Sequence, residues 1–425
     1  MKKNLLLYLS ILTMSVILVA CGSSGEASSN EESESNDPVE LTMWYWGDES
    51  EEIENKVNEQ FENIEFQVQK QPSGEDYKTR LQTTLAGGGE GPDIVAMDSW
   101  ITDFLPNHDM FLNLNDYGAE ELGDTYLDWK IEMATTETEG GEEKLIALPI
   151  DVGPVGLFYR ADLFEEAGLP SEPDEVAAEL QDWEDYLEAS RILAEETGAK
   201  MYTADELYRN ITGQTEELYF NEDGEFIADQ PHIKNAFDTA VQAYQEGITI
   251  VSESGSEKRA MMNTSDVGSL IHATWFTGDV VDSAADHAGK WRVAFPPGGG
   301  GNQGGSFLGA LESTEHPEEA YEVIEWVLNP ENQLESQVNH GLFPSTPEVY
   351  DAPEMQEEVD FFGDQVINEV FAQSAEDVNI VHRTEDDTFV EASILEQLQL
   401  VINENKDSEE AWDDAIDRAK SQLNR

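Results

Sequence analysis

LTMWYWGDESEEIENKVNEQFENIEFQVQKQPSGEDYKTRLQTTLAGGGEGPDIVAM, residues 41–97, is the stretch from which the fold can be read. Leu41-Thr42-Met43-Trp44-Tyr45-Trp46 reads as a strand, closed by Gly47-Asp48. Ile53, Val57 and Phe61 then recur at the i, i+4, i+8 spacing of one helix face. Ile64 to Val68 reads as a second strand. A second helix carries Tyr77, Leu81 and Leu85 and stops at Gly87-Gly88-Gly89. Gly91-Pro92-Asp93 turns into a short buried strand, Ile94 to Met97. A βαβα order of this kind predicts an α/β fold on a mainly parallel sheet. Ligands of such sheets sit beyond the carboxyl ends of the strands. Trp44 to Asp48 and Asp98 to Trp100 lie there.

The same alternation continues. Leu145 to Pro149 and Val155 to Tyr159 are apolar runs separated by Ile150-Asp151-Val152-Gly153-Pro154. Helices are predicted near 161–168, 181–197, 232–246 and 317–328, and buried strands at Val267 to His272 and Ser306 to Leu311. Phe295 to Gly305 (FPPGGGGNQGG) is the strongest break, because two prolines and a glycine cluster fit neither a helix nor a central strand. His340 to Pro347 is another break.

Working back toward the start, Lys2 and Lys3 precede an apolar run from Leu5 to Ala20, too short for a comfortable membrane span. It ends in Leu18-Val19-Ala20-Cys21, which resembles the lipobox of bacterial lipoproteins. That resemblance implies a signal peptide over 1–20, a lipid on Cys21 and a place on the outer face of the cell membrane. Cys21 is the only cysteine, so an internal disulfide is impossible. The Gly, Ser, Glu and Asn run that follows cannot bury apolar surface, and 21–38 is expected to be a disordered acidic tether.

The chain has 91 Asp and Glu against 22 Lys and Arg, a formal charge of −69. Nucleic acid and anionic membrane surfaces are therefore excluded as partners, leaving the lipid as the only membrane contact. The acids are spread along the whole chain, which points to a solvated carboxylate surface suited to high salt or alkaline surroundings.

Several segments, in order along the chain, resemble the extracellular solute-binding proteins of ABC importers, in the carbohydrate-binding family that includes maltose-binding protein. They are Trp44-Tyr45-Trp46-Gly47, Gly91-Pro92-Asp93-Ile94-Val95, Leu148-Pro149-Ile150-Asp151, and Gly156 to Phe164 with Ala167-Gly168-Leu169. Glu318-Glu319-Ala320 through Asn329-Pro330-Glu331-Asn332, then Gly341 to Ser345, complete the series. Arg160 departs from the family's usual Asn, and the family's C-terminal aromatic has no counterpart after residue 385. The resemblance implies a two-lobed periplasmic-binding-protein-like α/β fold with three hinge crossings, near Pro149–Pro154, Phe295–Gly305 and Gly341–Pro347. One lobe would comprise 39–150 and 304–342, the other 151–303 and 343–425. It further implies a monomeric receptor, without cofactor or catalysis, that closes on a carbohydrate and docks on an ABC permease.

Sugars stack one apolar face on Trp or Tyr and need paired donors and acceptors for their hydroxyls. Trp44, Trp46, Trp100 and Trp275 stand at predicted strand ends; Trp44 and Trp46 alternate with Tyr45, so one side of that strand must pack inward. Asp98 and Asp151 end or interrupt apolar runs and are the favoured carboxylates. Gly304, Gly305 and Ser306 would let bare backbone approach a ligand at the second crossing, and Phe343 lies at the third. Arg383 is one of few cations, with a structural ion pair as its competing role.

No G-x-x-x-x-G-K-[ST], H-E-x-x-H or G-x-S-x-G occurs, and the seven His are scattered without metal-ligand spacing. A polyamine receptor and an extracellular glycoside hydrolase are the alternatives that aromatics and carboxylates would also serve.

Overall fold

The computed structural model describes residues 38–423, apart from 88–90, 139, 216, 222, 253, 380, 382 and 385. The signal segment, Cys21 and the tether up to residue 37 lie outside the described residues. Two sheets carry the fold. In chain order their strands are β1 (Val39–Tyr45), β2 (Ile64–Lys70), β3 (Ile94–Met97), β4 (Leu148–Pro149), β5 (Val155–Arg160), β6 (Lys200–Met201), β7 (Val267–Ala273), β8 (Trp291–Ala294) and β9 (Phe307–Ala310). The first sheet has the order β2-β1-β3-β9-β4, the second β8-β5-β7-β6.

The expected parallel arrangement holds for β2, β1 and β3 and fails elsewhere. β9 runs antiparallel to β3 and β4, and β5 runs antiparallel to β7 and β8, while β6 is parallel to β7. Chain direction explains the mixture. β5 and β9 both begin where the chain has just passed from one sheet to the other, so they run away from the junction. Their neighbours approach it. A strand that enters a sheet at the end where the others leave must pair antiparallel.

Helices follow the apolar spacing. Ser50–Gln60 buries Val57 and places Glu51 and Glu52 in its first turn, where they complement the helix dipole. The helix expected from 181 begins at Trp183, because the Asp182 side chain caps the amides of Glu184 at 2.9 Å and Asp185 at 3.0 Å. Gly198, left-handed at φ 78°, ends it. One core lies around the first sheet, with Leu41, Met43, Phe66, Ile94 and Leu308 buried. β5 and β7 are buried along their full length, as strands covered on both faces are. Arg160, at the end of β5, is buried too. It forks onto Asp162 with two contacts of 2.7 Å and donates to Ser265 Oγ at 3.0 Å, a structural role within its own lobe.

Three connecting segments run side by side at the junction. The Val152 amide donates to Phe343 O at 2.9 Å, and the Gln303 amide to Gly153 O at 2.8 Å. The Gly153 amide donates to Asn302 Oδ1 at 2.8 Å and the Ser306 amide to Asp151 Oδ1 at 2.7 Å. Buried Gln333 links Pro149 O at 3.0 Å to the Ser345 amide at 2.7 Å.

A surface this acidic repels itself. Raising salt from 0.1 to 1 M shortens the screening length from about 10 Å to about 3 Å. The thermal midpoint of residues 39–425 is expected to rise over that range; a midpoint that stays level in calorimetry would mean that self-repulsion does not limit stability.

Candidate functional site

The carboxyl ends of β1, β3 and β7 point to the junction, and a cavity of about 820 Å³ opens there. From the first lobe, the 3-10 turn after β3 contributes Ser99, Trp100 and Asp103. The short helix Asp128–Glu132 adds Trp129 and Glu132. From the second, the helix Ala204–Thr212 presents Glu206 and Arg209. His272 and Trp275 come from the end of β7, and Gln303 and Gly304 from a connecting segment. A smaller hollow of about 60 Å³, against Ile53, Trp326 and Leu342, has room for only a few waters.

Of the residues singled out in the sequence, Trp100, Trp275, Gly304 and Arg383 line the cavity. The others are set back from it. Trp44 is 6% exposed, donates from Nε1 to Gln69 at 3.0 Å and has the Arg80 guanidinium 4.2 Å from its ring centre. Trp46 packs on Tyr77 with ring centres 5.4 Å apart; Trp100 shares the same Tyr77 at 6.1 Å but reaches the cavity. Asp98 caps the Ser99 amide at 2.5 Å. Phe343 has no exposed surface and packs on Tyr350 and Phe371. Asp151, Gly305 and Ser306 lie together behind the cavity wall.

Sequence reasoning passed over Trp129, His272, Arg209, Glu206 and Lys130. His272 ends a buried apolar strand, the same signal that singled out Trp275. Lys130 carried no signal at all. It is fully buried, its ammonium lies 3.9 Å from the centre of the Phe307 ring, and it has no hydrogen-bond partner among the described residues.

The cavity lining holds six carboxylates and three cations, and part of this charge is paired within the lining. Lys78 pairs with Asp103. Arg209 holds Glu391 at 2.8 Å and Glu206 at 3.3 Å. Burial keeps the carboxyls of Asp103 and Glu206 above their usual range despite these partners. Arg383 forms no ion pair among the described residues. Trp275 is 49% exposed, with Nε1 donating to Gln303 O at 2.9 Å. Gln303 Nε2 in turn donates to Asn210 Oδ1 at 3.1 Å, which ties the Gln303 side chain to the helix Ala204–Thr212.

Behind the wall, burial pushes the Asp151 carboxyl up to about 6 and the Lys130 ammonium down to about 8, each partly countered by the other's charge. The signs follow from linkage. Asp151 favours the fold below its unfolded value of about 3.9 and loses that contribution as pH rises through about 6. Lys130 favours it above about 10.4 and loses that contribution as pH falls through about 8. Near pH 7 both charges are buried and each compensates the other. Asp151→Asn or Lys130→Met alone is expected to cost about 3 kcal/mol at pH 7, and the double variant to recover most of it. Denaturant melts that show additive losses would contradict the pairing.

These features describe a two-lobed protein with a cavity at the junction of its two sheets, lined by aromatic and charged side chains. The chain belongs to the bacterial extracellular solute-binding protein family, whose sequence model matches residues 46–334. It is 25% identical over 334 residues to a lactose-binding protein of Rhizobium radiobacter, covering 70% of this chain and 72% of that one. It is 25% identical over 370 residues to an arabinooligosaccharide-binding protein of Halalkalibacterium halodurans, covering 81% and 80%. A crystal structure of an extracellular solute-binding protein of family 1 superposes with a TM-score of 0.84 at 28% identity, over 90% of this chain and 99% of that one. The galacto-N-biose-/lacto-N-biose I-binding protein of Bifidobacterium longum shares the fold, with a TM-score of 0.74 at 20% identity, over 92% and 98%.

Proposed function

We propose that this protein is the receptor of an ABC importer and captures a neutral sugar or oligosaccharide in the cleft. The observation that carries the reading is the pairing of Trp100, Trp129 and Trp275 with carboxylates already engaged by Lys78 and Arg209. Aromatic faces suit sugar rings, and hydroxyls can pair with both the carboxylates and the cations of such a lining. The names of the lactose- and arabinooligosaccharide-binding relatives support the same class.

In this reading 39–150 with 304–342 and 151–303 with 343–425 move as two lobes. The laced segments around Val152, Gln303 and Phe343 act as the hinge. Closure is a population shift driven by contacts that exist only when both lobes touch the ligand. The closed form then docks on the permease. A lipid on Cys21 holds the monomer to the outer face of the membrane, and no reaction is catalysed.

The test is a thermal-shift screen of residues 39–425 with lactose, arabinooligosaccharides, other mono- and oligosaccharides, and spermidine. A ligand at a hundred times its dissociation constant adds about 2.7 kcal/mol. Stabilisation by a saccharide recovered intact supports the receptor. Stabilisation by spermidine alone would move the assignment to a cation receptor, and released monosaccharide would move it to a hydrolase.

A further inference from the structure

His272 occupies the next-to-last position of β7, one turn of chain before Trp275, and lines the cavity. Its ring is fixed on every side that matters. One face stacks on Phe276, with ring centres 4.0 Å apart and planes 16° from parallel. The Trp275 indole meets it at 90°, centre to centre 4.6 Å. The Ala273 amide donates to His272 Nδ1 at 2.9 Å.

That last bond decides the protonation state. A backbone N–H can only be accepted by a ring nitrogen that carries no hydrogen. Nδ1 is therefore bare, and a neutral ring must carry its hydrogen on Nε2. Nε2 has no acceptor among the described residues, yet it is not among the polar atoms sealed from solvent. His272 lines the cavity, which is the open space beside its ring. Burial, helped by the charges of Lys258 and Arg209, keeps the ring neutral and holds it down to about 3.

We infer that the Nε2–H of His272 is a fixed, neutral hydrogen-bond donor that selects ligands presenting an oxygen acceptor beside the ring stacked on Trp275. This rests on the receptor reading and adds a chemical criterion to it. A hydroxyl, ring or glycosidic oxygen satisfies the donor. An ammonium group, which only donates, meets an N–H it cannot accept. The donor is set before the ligand arrives, because its ring cannot turn without breaking the stack on Phe276 and the bond from Ala273. A buried donor left unpaired is costly, so the residue discriminates by penalty as well as by attraction.

The experiment uses residues 39–425 labelled with ¹⁵N-histidine, with lactose, arabinooligosaccharides and spermidine as probes. In ligand-free protein the His272 ring is expected to show the Nε2–H tautomer, unchanged from pH 8 to about 5. His272→Phe, which keeps the stacking and removes the donor, is expected to weaken binding of the saccharide that wild type binds at least tenfold. His272→Gln, which restores a donor, should recover part of that loss. Thermal midpoints of both variants, read without ligand, show that each is folded. An Nδ1–H tautomer, a ring titrating near pH 6, or His272→Phe binding within twofold of wild type would overturn the inference while leaving the receptor standing. Wild-type protein that binds spermidine and no saccharide would overturn the receptor reading and this inference together.

Discussion

Trp275→Ala is expected to weaken saccharide binding by at least about 30-fold, the equivalent of about 2 kcal/mol, while changing the melting midpoint of the free protein little. Half of this indole is exposed, so its removal opens no cavity in the core. Its position nevertheless costs the ligand nothing to organise. Nε1 is held by Gln303 O at 2.9 Å, and the ring edge is braced on His272 and Phe276. A large apolar surface that is both exposed and rigid has its rotamer entropy spent before binding, and the ligand gains the full value of covering it. Trp275→Phe keeps a smaller stacking face but loses the bond to Gln303, and an intermediate affinity is expected. Titration calorimetry with the ligand found in the screen checks both. An affinity for Trp275→Ala within twofold of wild type would remove this residue from the site.

Gly153→Ala should be severely damaging for a single added methyl. A Cβ there would stand 2.0 Å from Gln303 O and 2.9 Å from Gln303 C, both backbone atoms. No side-chain rotation relieves such a contact, so the first and second connecting segments must separate. The bonds from Gly153 N to Asn302 and from Gln303 N to Gly153 O stretch with them. Overpacking of this kind costs about 3 kcal/mol. Binding should fall as well, because Gln303 O is also the anchor of Trp275. Gly255→Ala, at the start of the helix Gly255–Asn263 with open space around its Cβ, is the control and should be neutral. Equal denaturant midpoints for the two variants would contradict the close packing of the connecting segments.

Part of the cavity lining was legible because it obeys local rules. Trp100 and Trp275 follow buried strands and stand where a chain leaves a sheet, and both line the cavity. Gly304 was marked by composition alone. Trp44 and Trp46 show the limit of that reasoning. Strand alternation says that neighbours point to opposite faces, but both faces of β1 are covered, and Gln69, Arg80 and Tyr77 take up the indoles. Asp151 was noticed as a carboxylate interrupting an apolar run. Its partners, the Ser306 amide and Lys130, are distant in sequence, and no local pattern joins them.

The sequence by itself determined the α/β class, the leading run of strands and helices, the main Pro/Gly breaks and the excess of acids. Each of these depends on apolar spacing, turn chemistry or composition within a short window. Only the tertiary structure decided that the sheets are mixed, because pairing direction depends on which end of a sheet a returning strand enters. It alone gathered residues 130, 151 and 305 behind the cavity wall and residues 100, 272 and 275 around it. Burial and charge pairing act between segments that meet only when the chain is folded, so the state of Lys130, Asp151 and His272 belongs to the fold and not to their neighbours in sequence.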